Sequence, residues 1–388
     1  MPGTGQEEQG RTDNTASIGL SAPSWTTRTP VGRSASFDWA MIVLGGWLLG
    51  GLYVDGWAHN HLATTLESFF TPWHGAFYSG FLAVAGVTAG TLCYNHAHGT
   101  PWARALPPGY GLSLVGAGIF AASGVGDLIW HLLFGIEVRM EALLSPTHLG
   151  LTLGVALLVS GPWRAAWLRA DGAQPPTWTT RGPMVISLAC LLSVCTFWTM
   201  FAHPLSRPWA AAGNRPTAPV WPLAAPTPNL LTQDGGLFSR DIGQMLGLDG
   251  ILLQTALLMG LVLLTVRRWG WGLPRGSLTL VFTLNAGLMG FLRDQQGLIP
   301  VAVLAGLAAD GLLQQLKPAV SRVGALRLFA AGVPLIWYSI YFLALHLTQG
   351  VWWSVHLWAG AIVVAGLAGW LVSYLVVPPP VPQAEDGR

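Results

Sequence analysis

Charge is what this 388-residue chain most lacks. Only 9% of its residues are Asp, Glu, Lys or Arg, against roughly 25% in an ordinary soluble domain. An aqueous surface of normal polarity cannot be built from that. The net charge is +2 and no basic cluster stands out, which sets nucleic-acid binding aside. Cysteine is nearly absent: Cys93, Cys190 and Cys195 form no CxxC pair, so neither a disulfide framework nor a thiolate zinc site is suggested. Phosphate-binding glycine loops, nucleophile elbows and HExxH are missing too.

What is abundant is apolar sequence, 52% of the chain. Apolar runs of about 18 residues or more, enough to cross roughly 30 Å of hydrocarbon, recur from Phe37 to the Pro-rich tail. They predict an all-α polytopic membrane bundle of about ten transmembrane helices, near 37–57, 73–93, 108–133, 147–168, 183–203, 244–266, 276–292, 297–316, 326–346 and 351–377. Residues 1–36 lack the apolar core of a signal peptide and read as a disordered arm. Segments 37–203 and 244–377 read as two five-helix units, joined by a Pro-rich loop at 204–243, and 378–388 as a tail.

Cations retained on the cytoplasmic side set orientation. Arg28 and Arg33 precede span one, Arg104 follows span two, Arg164 and Arg169 follow span four, Arg267 and Arg268 span six, and Lys317 and Arg322 span eight. Both termini are therefore expected in the cytoplasm of a plasma-membrane protein, with the 204–243 loop outside as cap or linker. Eight of the ten histidines then fall at the outer ends of spans, and His96 and His98 at inner ends.

The first hairpin carries Asp55, His59, Glu67 and His74; the second carries Asp127, His131, Glu141 and His148 in the same order. Asp and the first His are four apart, so on a continued helix they share a face and can converge on one ion. Each Glu stands seven residues before a His that follows a Pro by two, and Pro is favoured in a first helical turn. Imidazole with carboxylate suits copper, zinc, iron or manganese without choosing among them. Ionisable groups at the edge of hydrocarbon are costly unless they pair or coordinate something. The plainer alternative is hydrogen bonding across helices or contact with water.

The run Asp55-x-x-x-His59, then Glu67-Ser-Phe-Phe-Thr-Pro-Trp-His74 and the pair Phe77-Tyr78, resembles the metal motif of the C subunit of particulate methane and ammonia monooxygenases. The resemblance covers roughly 30 residues per copy. It implies that Asp55, His59 and His74 hold an intramembrane copper ion, with Asp127, His131 and His148 as the equivalent set. It also implies partner membrane subunits. The family's interval between the two histidines is shorter than the 14 residues here and the 16 of the second copy.

His346 and His356 flank the last hairpin without acids, and are expected either as a degenerate third set supplying extra ligands or as interfacial histidines beside Trp352 and Trp353. Asp249 and Asp310 lie at membrane depth, as part of a proton or cation route or as helix-contact groups. Arg293 and Asp294 are expected to pair locally, and His203, which could stand behind a site as a lone group, is expected instead as an ordinary structural histidine. Two functions follow as expectations. One is a monooxygenase-like oxidoreductase component acting on a small apolar or gaseous substrate, with Glu67 and Glu141 orienting ligands or carrying protons. The other is a metal-ion or proton-coupled transporter. A b-type haem protein, and a structural subunit that has lost its metal, complete the alternatives.

Overall fold

A computed structural model describes residues 31, 34–62, 70–135, 140–169, 176–215 and 234–379. The described chain is helical throughout: α1 Ala35–His61, α2 Pro72–Ala97, α3 Gly111–Phe134, α4 Glu141–Leu144, α5 Pro146–Val159, α6 Gly161–Leu168, α7 Trp178–Trp198, α8 Asp234–Trp269, α9 Ser277–Leu292, α10 Ile299–Leu316, α11 Val323–Thr348 and α12 Val355–Val376. Its only β pairings are isolated bridges. The architecture is the expected polytopic bundle.

Among the described residues eight helices are long and apolar enough to span a membrane, or nine if the bent pair α5 and α6 makes one crossing. That pair bends by 46°, where Ser160 ends one helix and Pro162 starts the next. Proline in a first turn needs no N–H partner, but it cannot continue the preceding ladder. The run expected at 276–292 is α9, 16 residues long. At 1.5 Å per residue it reaches only about 24 Å.

Two apolar cores meet at α7. One joins α1, α2, α3 and α5 through residues such as Leu48, Phe77, Phe120 and Leu151. The other joins α8 to α12 through Met259, Phe282, Phe329 and Tyr338. Helix α7 gives Cys190, Val194 and Phe197 to the first and Met184, Leu188 and Leu192 to the second. It therefore works as a shared wall rather than the last helix of one unit. The three cysteines are free.

The Pro-rich segment after α7 is not all linker. Residues 203–215 fold against the α11–α12 turn: Ala212 N–H donates to Gly350 O at 3.0 Å, Trp352 N–H to Ala210 O at 3.1 Å, and the Trp352 indole to Trp209 O at 2.7 Å. Buried backbone must pair somewhere, and here it pairs with a distant turn. Helix α8 begins at Asp234, ten residues before the expected span. Residues 216–233 of that loop, the 1–30 part of the arm and the tail from 380 lie outside the described residues.

Two helix pairs carry the motif. In α1 and α2, a Cβ on Gly51 would sit 2.6 Å from Phe77 Cα, and one on Gly80 2.6 Å from Leu48 Cα. In α3 and α5, a Cβ on Gly116 would meet Leu157 at 2.6 Å and one on Gly154 would meet Phe120 at 2.7 Å. Only glycine lets backbones come this close. Gly80 stands six residues past His74 and packs on Leu48, seven before Asp55; Gly154 stands six past His148 and packs on Phe120, seven before Asp127. The crossings thus sit at matched heights below the two sets of polar residues.

Candidate metal centres

Each polar set is assembled from a helix end and a helix start. Asp55 and His59 occupy the last turns of α1, and Asp127 and His131 those of α3. One turn apart, they project from one face. The remaining histidine comes from the first turn of the next helix. Thr71 caps α2, accepting from His74 N–H at 3.2 Å, and Ser145 caps α5, accepting from His148 N–H at 3.4 Å. With proline first, the cap and the ring are fixed in one turn. The recurring Thr/Ser-Pro-x-His is therefore an N-terminal helix signal that also aims a ligand.

The resulting triads are similar in size. In the first, His59 Nε2 lies 3.9 Å and His74 Nε2 3.5 Å from the Asp55 carboxylate. In the second, His131 Nε2 lies 3.4 Å and His148 Nε2 3.5 Å from Asp127. One ligand atom from each residue falls within 4.8 Å of the others in both sets. Charge-assisted hydrogen bonds are shorter, at about 2.7–2.9 Å. Two donors each about 2.1 Å from one tetrahedral ion are instead about 3.4 Å apart. The spacing matches a shared cation, and two nitrogens with one oxygen suit a borderline d-block ion.

In the second triad the surrounding residues already orient the ligands. His131 Nδ1 lies 3.2 Å from Gly135 O, and a carbonyl only accepts, so Nδ1 carries the proton and Nε2 offers its lone pair toward Asp127. His148 Nδ1 lies 2.6 Å from Ser145 Oγ, and Thr147 donates to Asp127 Oδ1 at 2.8 Å. Outer partners of this kind set tautomer and ring angle in metal sites. Asp127 is almost wholly buried.

The first triad departs at one position. Trp73 stands where the second copy has Thr147, and its ring packs edge-on to Trp57 at 6.5 Å. Asp55 therefore has no equivalent hydroxyl, and its Oδ1 is buried without a hydrogen-bond partner. Such an orphan carboxylate oxygen is rare, and a bound cation is one of the few things that satisfies it.

The triads are electrostatic neighbours. The charge of Asp127 acts on Asp55, and His131 and His148 act on His59. Tyr78 stands between them: its ring centroid is 6.3 Å from that of His74, and a Cβ on Gly124, one turn before Asp127, would touch it at 3.0 Å. Tyr78, Trp73, Thr147, Ser145 and the glycines at the crossings are the site residues that the acid and histidine pattern does not reveal. Aligning the two copies residue by residue pairs Thr71 with Ser145, Trp73 with Thr147 and Gly80 with Gly154, whereas Gly51 and Gly116 have no glycine opposite and Tyr78 enters only through the Phe77-Tyr78 pair of the motif.

Several expected residues go elsewhere. Glu67 lies outside the described residues; Glu141 opens α4, with its side chain outside them. His346 and His356 are exposed and join neither triad, so no third set is assembled among the described residues. Asp310 is not in a polar path: its carboxylate accepts from Leu278 N–H at 3.2 Å, Thr279 N–H at 2.8 Å and Thr279 Oγ1 at 2.6 Å. It holds the start of α9. Asp249 is exposed. Asp294 pairs with His61 at 2.8 Å instead of with Arg293, because the α9–α10 turn packs against the end of α1, where Trp57 stacks on both His61 and Phe291. His203 is buried away from the triads, in the α7 to α11 half.

No family model, curated protein or solved structure matches the chain.

Proposed function

We propose that the protein is an integral membrane metalloprotein whose two triads each bind a copper ion, acting as the copper-site component of a monooxygenase-like oxidoreductase on a small apolar or gaseous substrate. The observation that carries metal binding is the Asp55 carboxylate, whose buried Oδ1 accepts no hydrogen bond, with His74 Nε2 beside that oxygen and His59 Nε2 beside the other at a spacing suited to one shared ion. Copper rests on the motif's likeness to the C subunit of particulate methane and ammonia monooxygenases. The duplicated hairpin, with matched ligands, caps and glycine crossings, supports descent of both triads from one unit.

Bound copper would supply Lewis-acid and one-electron chemistry at positions that three protein ligands leave open. The chain's own part is to orient the imidazoles, in the second triad by Gly135 O beside His131 Nδ1 and Ser145 Oγ beside His148 Nδ1, so that each Nε2 faces the Asp127 carboxylate. Apolar walls at Phe77 and Phe120 limit water, and membrane-facing leucines admit an apolar substrate from lipid. Both triads and the two termini are assigned by the distribution of Lys and Arg, the triads to the outer face. Other membrane subunits are expected partners. The transporter reading is weaker, since Asp310 is committed to capping α9.

Metal analysis of the full-length protein in detergent, after reconstitution with Cu(II) and desalting, tests the reading. Two equivalents per chain are expected, one in His59→Ala or His131→Ala, and none in the double variant, without a haem Soret band. Wild type that retains no copper would overturn it.

A further inference from the structure

A second polar site lies in the half of the molecule that carries no triad. A cavity of about 30 Å³ is lined by His203, Thr196, Gln254, Asn285, Trp337 and Tyr338, side chains from α7, the segment behind it, α8, α9 and α11. This volume holds on the order of two water molecules. The polar groups are deeply buried: Gln254 is 6% exposed and His203 4%. Most of their hydrogen bonds are accounted for. Leu205 N–H donates to His203 Nδ1 at 3.1 Å, Asn285 Nδ2 donates to Thr196 Oγ1 at 2.6 Å, Gln254 Nε2 donates to Thr199 Oγ1 at 2.9 Å, and Tyr338 donates to Ile251 O at 3.1 Å. Gln254 Oε1 has no partner.

A smaller cavity of about 10 Å³ also has Pro204 in its wall, with Trp209, Trp353 and the exposed Arg207. Its indoles are also unpaired: Trp209 Nε1 and Trp353 Nε1 are buried without acceptors. Three of the orphaned polar atoms therefore belong to residues lining two cavities that share Pro204 as a wall. An orphan of this kind costs about 1–3 kcal/mol, and chance clustering at a void is a poor account of three.

The chemistry defines the occupant. The outer orphans are donors and the inner one is an acceptor, so the guest must both accept and donate. No carboxylate, Lys or Arg lines the inner cavity. His203 is neutral, its Nδ1 engaged as an acceptor, and Arg207 at the outer wall repels cations. From these groups we propose that α7, α8, α9 and α11 enclose a binding site for small neutral molecules of the water or ammonia class, entered past Arg207 and the Trp209–Trp353 pair at the same end of the bundle as the triads. The ends coincide because α7 packs parallel to α1, with Trp39 against Gly182 at one end and Phe197 against Gly56 at the other. The site does not depend on the metal reading.

X-ray hydroxyl-radical footprinting of the full-length protein in lipid nanodiscs reads the simplest such guest, since radiolysis of a bound water oxidises the side chains touching it. Tyr338 and Trp337 are expected to be modified at least fivefold faster than Tyr110, which is as buried as Tyr338 and lines neither cavity. Gln254→Leu should bring them down to the Tyr110 rate. Leu258→Phe, which fills the cavity with an apolar ring, should do the same without removing a polar group, so one folded variant suffices. Rates for Trp337 and Tyr338 at the Tyr110 level in wild type would overturn the proposal, as would unchanged rates in a folded Leu258→Phe protein.

Discussion

Removing one charge from each triad should have opposite consequences in the metal-free protein. Asp127 accepts a hydroxyl hydrogen bond from Thr147 at 2.8 Å, whereas Asp55 Oδ1 is buried with no hydrogen bond, its nearest charge partner being His74 Nε2 at 3.5 Å. A hydrogen bond to a charged acceptor is worth about 1.5–3 kcal/mol and a neutral one about 1. Asp127→Asn should therefore lower apo stability by about 1 kcal/mol. Asp55→Asn loses no such bond and relieves a desolvated charge, so apo stability should hold or rise by about 1–2 kcal/mol. With copper present the order changes. An ion held at a free concentration 100 times its dissociation constant stabilises the fold by about 2.7 kcal/mol, and either substitution should remove most of that increment. Thermal or denaturant unfolding in mild detergent, with chelator and then with Cu(II), gives all four differences. If Asp55→Asn costs as much as Asp127→Asn in the chelated protein, Asp55 is held by the protein itself and the argument for a missing cation fails.

Glycine crossings should control metal affinity at a distance. Gly80→Leu and Gly154→Leu each drive a side chain into atoms under 3 Å from the Cβ, the Leu48 backbone and Phe120 Cβ respectively, and should each abolish one copper equivalent while sparing the other, read by metal analysis. Asp310→Ala removes three hydrogen bonds at the α9 start and should cost about 2–4 kcal/mol without changing copper stoichiometry; loss of copper would place Asp310 in the ion's path after all. Burial pushes His203 down to about 3, below its ordinary value, so its contribution is fully present above about pH 6.5 and is lost as pH falls toward 3. At 1.36 kcal/mol per unit, wild type should lose about 2 kcal/mol between pH 6.5 and 5 relative to His203→Gln. Parallel pH profiles of the two proteins would refute that assignment.

The helices were legible because their signal is compositional. A run such as 351–377 excludes Asp, Glu, Lys and Arg over a membrane's thickness, and no tertiary detail is needed to see it. The run at 276–292 reads as a span and forms α9, but what fixes its start, Gly276 in the left-handed region and Asp310 from another helix, is set by tertiary context. That long-range hydrogen bond leaves no trace in spacing. Asp310 itself looked functional for the same reason: an acid in an apolar run is visible, while the two backbone N–H groups it serves are not. The triads were readable because helix periodicity places Asp and His four apart, and Pro two before the next His fixes the second ligand. His346 and His356 share the hairpin position but lack an acid and a capping Thr/Ser-Pro pair, and they remain exposed.

The difference between Trp73 and Thr147 makes the two centres unequal in a way the shared motif conceals. A hydroxyl on Asp127 Oδ1 occupies one of that oxygen's lone pairs and steadies the carboxylate before any ion arrives. Such an outer partner is worth about 10–100-fold in metal affinity. Asp55 has no such partner and must be steadied by the ion itself. The second triad should consequently fill first. Because the neighbouring triads sense one another's charge, a cation already at Asp127 raises the cost of the next at Asp55. Trp73→Thr supplies the missing hydroxyl and should narrow the gap between the two stepwise affinities by about tenfold, while Thr147→Val should narrow it from the other side. Copper competition titrations against a chromophoric chelator resolve the two steps. Equal affinities in wild type, or a gap that Trp73→Thr leaves unchanged, would show that the hydroxyl does not set the order of filling.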